Sequence, residues 1–371
     1  MAGETVIKPD LKFVHRVIAA GGDTVKKCYQ CDSCAVVCNP TPDSQPFPRK
    51  EMLQAQWGLK SVVRSPDIWL CHQCSDCTVY CPRGAKPGEV MNALRRLCIE
   101  EYARPRQLGK IVAGARYLPL LIAFPVLLLL AALKVTGHLH LPEGPIVYSK
   151  LFPTLLVDAI FVPAFFFAVA MLGMGVLRYW KDLNASSPWK VRVEGNLVGN
   201  LFQVIKDILM HNRFRLCETT YARSTNHLFL LFGFIFLAIV TGWGFLNEWV
   251  LHHESPYAIY QPIKLLAMVG TAGLLYGIYT IIKERRANAE KAGFGGYYDW
   301  LLIYVIFAVG ATGLLSWLFR LVGIRILAYP TYFLHLTSVF FLFFYAPYTK
   351  MAHLVYRTTA MLYARMSGRG F

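Results

Sequence analysis

Apolar and charged positions interleave over the first third of the chain, whereas apolar runs dominate the rest. From Met1 to Ala115 the pattern is that of water-soluble protein, with 16 Lys or Arg against 11 Asp or Glu. From about Arg116 onward, runs of about 20 apolar residues alternate with short basic segments, the length a bilayer demands of a helix. Six such runs lie near Tyr117–Val135, Val157–Tyr179, Asn226–Val250, Tyr260–Ile282, Trp300–Val322 and Thr331–Met351. Backbone groups in lipid must bond within their own segment, so each run predicts a helix. The pattern therefore divides the chain into a soluble domain at 1–115 and a six-helix membrane domain at 116–371. Within the soluble part, four prolines between Pro40 and Pro48 precede an amphipathic helix expected over Lys50–Leu59.

Loop charges orient the bundle. The segments Arg178–Arg223, Lys283–Lys291 and Lys350–Phe371 carry eight, four and four Lys or Arg. The alternate loops hold only Lys134, Lys150, Arg320 and Arg325. Basic loops stay in the cytoplasm, so both termini and the soluble domain are expected on the cytoplasmic side of the inner membrane. Met1–Asp23 is mixed and polar, without the apolar core of an export signal. This charge distribution explains the formal net charge of +16 without nucleic acid. With 55% hydrophobic residues and 16% charged, the composition excludes disorder and disfavours a purely soluble enzyme.

Ten cysteines in a reducing compartment are not read as disulfides. Cys28, Cys31, Cys34 and Cys38 form C-x2-C-x2-C-x3-C, and Cys71, Cys74, Cys77 and Cys81 repeat it, each offset by 43 residues. Pro40 and Pro82 follow the two runs. The spacing matches the bacterial two-cluster ferredoxin pattern, in which the fourth cysteine of each run reaches the other cluster. Cys28, Cys31, Cys34 and Cys81 are thus expected to hold one [4Fe–4S] cluster, and Cys71, Cys74, Cys77 and Cys38 the second. Structural zinc also uses C-x2-C pairs, but it does not account for a third and fourth cysteine in each run. Cys98 is expected as a buried thiol. Cys217 is either that or part of a site with His211, Arg213 and Phe214.

The motif Asp67-Ile68-Trp69-Leu70-Cys71-His72-Gln73-Cys74, with Cys81-Pro82-Arg83-Gly84, resembles the iron–sulfur C subunit of heterodisulfide reductase over about Lys26–Tyr102. The fold class expected is mainly α, an α-helical two-[4Fe–4S] ferredoxin-like domain followed by a six-helix transmembrane cytochrome b bundle.

Histidines supply the second argument. His335 and His353 are 18 residues apart, five turns on one continuous helix, so they would share a face at about 27 Å separation. His227 begins the third membrane helix at the depth expected for His353, and this pair is expected to ligate a b-type heme near the inner face. His211, 16 residues before His227, would lie about 160° away on a continuous helix and could share its face only across a break.

His227-Leu228-Phe229-Leu230-Leu231-Phe232-Gly233-Phe234, His335-Leu336 and Ala346-Pro347-Tyr348-Thr349-Lys350-Met351-Ala352-His353 resemble the gamma subunit of respiratory nitrate reductase and the E subunit of heterodisulfide reductase. That resemblance implies heme b and a quinol site. It departs at Leu237, where the nitrate reductase pattern has the histidine that pairs with the equivalent of His335. A second heme on His335 would need His252 or His253, with His138 and His140 as further candidates. Lys264 resembles a quinol-site lysine of the nitrate reductase gamma subunit, although a lysine at a helix end commonly snorkels. Glu248, His252, His253 and Glu254 nearby are candidates to take up released protons.

The order of the two halves resembles the membrane subunit of quinone-interacting membrane-bound oxidoreductases of sulfate-reducing microbes. That resemblance implies transfer from menaquinol, through one or two hemes b and two clusters, to two flavoprotein subunits similar to the A subunit of heterodisulfide reductase. It further implies adenylylsulfate reductase as acceptor in dissimilatory sulfate reduction. The chain itself shows no Gly-rich dinucleotide fingerprint, so flavin would sit in a partner. Two rivals remain: a membrane module of a heterodisulfide reductase or sulfite-linked complex, and a non-redox anchor with a zinc head.

Overall fold

The computed structural model describes residues 7–43, 45–185, 195–217, 221–252, 257–289 and 293–369. Helices account for its regular structure, and no strand occurs among the described residues. The head contains α1 (Leu11–Ala19), α2 (Ser33–Val36), α3 (Arg49–Gln56), α4 (Asp67–Leu70), α5 (Asp76–Val79) and α6 (Pro87–Tyr102). A short helix, α7 (Arg106–Ala113), leads into the bundle. Asp10 caps α1 by accepting from the Phe13 backbone N–H at 3.1 Å. The helix expected over Lys50–Leu59 is α3, ending three residues earlier at Gln56.

Six helices are long and apolar enough to cross a membrane: α8 (Leu118–Val135), α9 (Thr154–Ala185), α11 (Tyr221–Trp249), α12 (Pro262–Ala287), α13 (Tyr297–Val322) and α14 (Arg325–Phe344). Among the described residues two further helices, α10 (Leu197–Met210) and α15 (His353–Met366), lie outside these spans. Along the bundle α11 packs on α12, α12 on α13, and α13 on α14, while α8 and α9 flank α14. Gly233 and Gly277 permit the α11–α12 approach. A Cβ on Gly233 would fall 2.5 Å from the Leu274 backbone nitrogen, and one on Gly277 2.6 Å from that of Leu230.

The sixth span departs from expectation. It starts at Arg325 rather than Thr331 and stops at Phe344, followed by 3-10 turns at Ala346–Tyr348 and Lys350–Ala352. Pro347 has no N–H to continue the ladder, and Thr349 caps the second turn by accepting from Met351 N–H at 3.3 Å. His353 therefore opens a separate helix. The five-turn argument joining His335 to His353 on one face does not hold.

α15 leaves the bundle and packs against α4 of the head, against α9 and against α10. Its Tyr356 stacks on Trp69, ring centroids 5.6 Å apart, and meets Tyr179 of α9 edge-on at 5.7 Å. Tyr102 completes the cluster, edge-on to Tyr179 at 5.2 Å. All four rings are buried, each burial worth roughly 1.5–3 kcal/mol. Tyr179 Oη donates to the Ser65 carbonyl at 3.2 Å, and Tyr102 Oη to the Asp182 carboxylate at 2.9 Å. Head and bundle thus share one hydrophobic core, continuous across residue 115.

Candidate iron–sulfur and histidine centres

The 43-residue duplication extends to the backbone. Gln30 and Gln73 adopt φ of 60° and 54°, and Asp32 and Ser75 adopt 70° and 73°, before the matching one-turn helices α2 and α5. These left-handed positions are costly for residues with a Cβ. What they gain is aim: the Gln30 N–H donates to Cys28 Sγ at 3.5 Å and the Gln73 N–H to Cys71 Sγ at 3.3 Å. Glutamine and serine carry little sequence signal for this conformation, which aspartate adopts more readily.

The thiols gather crosswise. Cys28 lies beside Cys31, Cys34 and Cys81, while Cys38 lies beside Cys71, Cys74 and Cys77. Burial first, and neighbouring Cys28 next, push the Cys34 thiol up to about 12. Burial pushes Cys38 up too, and Cys71 and Cys77 add to it. Packed thiols that disfavour one another's ionisation are a donor set suited to multivalent iron, which replaces the protons. The first group includes exposed Cys31 and one buried thiol, Cys34, whereas the second has two buried thiols, Cys71 and Cys77, and none exposed, so the first is the outer group and the second the inner.

Three guanidinium groups surround the Cys71–Cys74 loop. Arg95 donates to the carbonyls of Ile68, at 2.5 Å, and Cys71. Arg357 of α15 donates to the Cys71 carbonyl at 3.2 Å and contacts the His72 ring at 3.0 Å. Arg223 of α11 donates to the Gln73 carbonyl at 2.9 Å. On the other run, Asn39 donates to the Leu216 carbonyl at 2.9 Å. Sequence patterns do not announce these contacts, because each joins residues 24 to 286 positions apart.

The histidines assemble differently from expectation. α10 ends at Met210, and His211 turns left-handed with φ of 53°. That break swings its ring onto α11, with Nε2 2.8 Å from His227 Nδ1 and Nδ1 2.6 Å from the Ile208 carbonyl. Phe214 stacks on His227 and lies edge-on to His72. His353 stands within electrostatic reach of His227. Its Nδ1 donates to the Lys350 carbonyl at 2.7 Å, and burial holds its pKa down at about 4. Burial also lowers His211. Neutral imidazoles with one anchored nitrogen are the form that ligates iron. His227 and His353 are the imidazoles of this group that would hold a b-type heme, with His211 hydrogen-bonded to His227 from behind.

His335 stands apart on α14. Its Nδ1 is 3.2 Å from Thr312 Oγ1, and its ring packs on Gly313, where a Cβ would fall 2.9 Å from Cε1. His252 is exposed beyond the end of α11. His253 and Glu254 lie outside the described residues. His138 is half-buried and His140 exposed in the loop after α8. Lys264 places its ammonium 5.3 Å from the Trp317 ring centroid, a cation–π contact that accounts for its position without a ligand. Cys98 is fully buried and accepts from Trp69 Nε1 at 3.4 Å. Cys217 is buried beside Cys74 and Asp76.

Residues 24–85 match the 4Fe-4S dicluster domain family. Citrate utilization protein B of Escherichia coli is 25% identical over 320 residues, covering 79% of this chain and 80% of that protein. The C2 subunit of the H(2)/formate:CoB-CoM heterodisulfide,ferredoxin reductase of Methanococcus maripaludis is 34% identical over 109 residues, 27% of this chain and 59% of that protein. A protein of Archaeoglobus profundus described as like the C subunit of heterodisulfide reductase is 38% identical over 85 residues, 22% of this chain and 45% of that protein. The chain thus spans about half the length of these iron–sulfur relatives. No solved structure matches. In this chain a 4Fe-4S dicluster head similar to heterodisulfide reductase iron–sulfur subunits is joined to six helices able to cross a membrane.

Proposed function

We propose that the chain is the membrane electron-transfer subunit of a reductase complex, linking the menaquinol pool to a cytoplasmic flavoprotein or iron–sulfur partner. The observation that carries this reading is the run of ring contacts from His72 through Phe214 to His227, which joins the loop of Cys71 and Cys74 to the histidine group. Cys28, Cys31, Cys34 and Cys81 would hold one cluster, Cys38, Cys71, Cys74 and Cys77 the other, and His227 and His353 a heme b. These groups, when bound, supply one-electron transfer steps between a quinol and a flavin.

The remaining work belongs to the protein. His211 and the Lys350 carbonyl fix the tautomers of His227 and His353. Arg95, Arg223 and Arg357 favour added negative charge at the inner cysteine group. Exposed Tyr29 and Tyr80 flank the outer cysteine group, where a partner would dock. The positive-inside pattern supports cytoplasmic termini in an inner membrane. On this reading Lys264 would serve a quinol site and His335 a second heme. Two flavoproteins similar to the A subunit of heterodisulfide reductase, with adenylylsulfate reductase as terminal acceptor, follow only from the resemblance to the sulfate-reducer protein. A heterodisulfide reductase or sulfite-linked complex fits the head equally well.

A second reading is favoured by the similarity to citrate utilization protein B, which extends across both halves. On that reading the same module serves citrate utilization. Metal analysis and a reduced-minus-oxidised visible spectrum of the purified chain test the shared core of both readings. Iron with acid-labile sulfide and b-type absorption bands are expected. Zinc in place of iron would leave a non-redox anchor instead.

A further inference from the structure

Cys217 belongs to neither cysteine run and reaches the head from the segment between α10 and α11. It is 1% exposed. Its Sγ, Cys74 Sγ and an Asp76 carboxylate oxygen all lie within 4.8 Å of one another, and Cys74 and Cys217 are hydrogen-bonded through their side chains. Four thiols already stand crosswise around the inner group, namely Cys38, Cys71, Cys74 and Cys77, so Cys217 is surplus to a four-iron cluster. Once Cys74 is bound to iron as a thiolate it has no proton left to give, and the Asp76 carboxylate is an acceptor only. Cys217 is then the side-chain donor of this trio.

We propose that Cys217 is a positioning residue for the inner cluster, donating an S–H···S hydrogen bond to the iron-bound Cys74 thiolate and raising the cluster's reduction potential. The inference rests on the dicluster reading and adds to it a fifth cysteine acting without ligation. The physical reason is charge: reduction adds an electron to an already anionic cluster, and a donor to its sulfur stabilises the reduced state more than the oxidised one. Because Cys217 is carried by the membrane half, this contact also makes the potential of the inner cluster depend on the docking of head to bundle. The outer group has no equivalent among the described residues, since Cys98, the one other cysteine outside the runs, accepts from Trp69.

The test is potentiometric EPR on the purified full chain as wild type, Cys217→Ala and Cys217→Ser, with iron content measured on each. The expected result is unchanged iron, a lowered midpoint for one cluster in the alanine variant, and an unmoved midpoint for the other. Serine, an O–H donor, should restore most of the shift. An unchanged pair of midpoints in Cys217→Ala would overturn the proposal. So would loss of half the iron, which would make Cys217 a ligand. Absence of two cluster signals in the wild type would defeat the dicluster reading itself, an outcome separable from either.

Discussion

Glu51 shows how one side chain couples the head to pH. It is fully buried beside Asp67, with Lys50 the nearest counter-charge to both. Burial, reinforced by Asp67, raises its pKa to about 8. A carboxyl whose folded pKa is raised holds its proton more tightly when folded. Its contribution is therefore fully present below the ordinary carboxylate pKa and is lost as pH rises through about 8. Thermal melts in detergent should show head stability falling between pH 5 and 8, and Glu51→Gln should flatten that slope. A second residue-scale expectation concerns His211. Replacing it with Ala removes the partner of His227 Nδ1, so the potential and spectrum of the proposed heme should shift with the heme content unchanged; Asn should rescue part of the shift. An unshifted spectrum would reduce His211 to packing. The cysteine runs were fully legible in the sequence because spacing alone encodes them. His211 was not, since its encounter with His227 depends on a left-handed residue in Met210-His211-Asn212, which carries no glycine to announce it.

At the scale of elements, six apolar runs became six helices because lipid leaves a backbone no alternative. Their ends were less legible. α9 runs on to Ala185 past the apolar stretch, and α14 is displaced toward the N-terminus relative to the run that predicted it. Pro347 was a readable signal for that break, since a proline removes a ladder bond wherever it falls. The pairing of α11 with α12 rests on small residues, whose role in close packing is plain once the backbones meet. Gly233→Val should push these helices apart, since its Cβ meets main chain rather than a side chain able to move. A loss of about 3 kcal/mol is expected, at the upper end for overpacking. Tm in detergent would read it, with Gly173→Val as the control, because no atom lies within 4 Å of a Cβ there. Equal effects at both sites would contradict the packing account.

For the whole molecule, the chief finding is that the last helix turns back and enters the head. α15 brings Tyr356 to Trp69 and Arg357 to the loop holding Cys71, so the division at residue 115 marks a change of solvent rather than a break in the core. Lys350 strengthens the same junction by pairing with Asp299 at 2.5 Å, and Asn92 of α6 donates to that carboxylate at 2.8 Å. Composition revealed the two solvents but could not reveal the shared core, which depends on contacts between residues hundreds of positions apart. Arg357→Ala should cost about 1–3 kcal/mol by removing the partner of buried His72 and one of the two guanidinium donors to the Cys71 carbonyl. It should also expose the head to limited proteolysis near residue 115; an unchanged digest would mean that the aromatic cluster suffices alone. The central claim is that imidazoles at the membrane face and thiolates in the head serve one electron path. Rapid mixing of the purified chain with a menaquinol analogue, following iron–sulfur reduction in wild type and His353→Ala, tests it most directly. The account predicts quinol-driven reduction in the wild type and its loss in the variant, with dithionite still reducing the clusters in both. Equal rates of cluster reduction by quinol in the two proteins would contradict it.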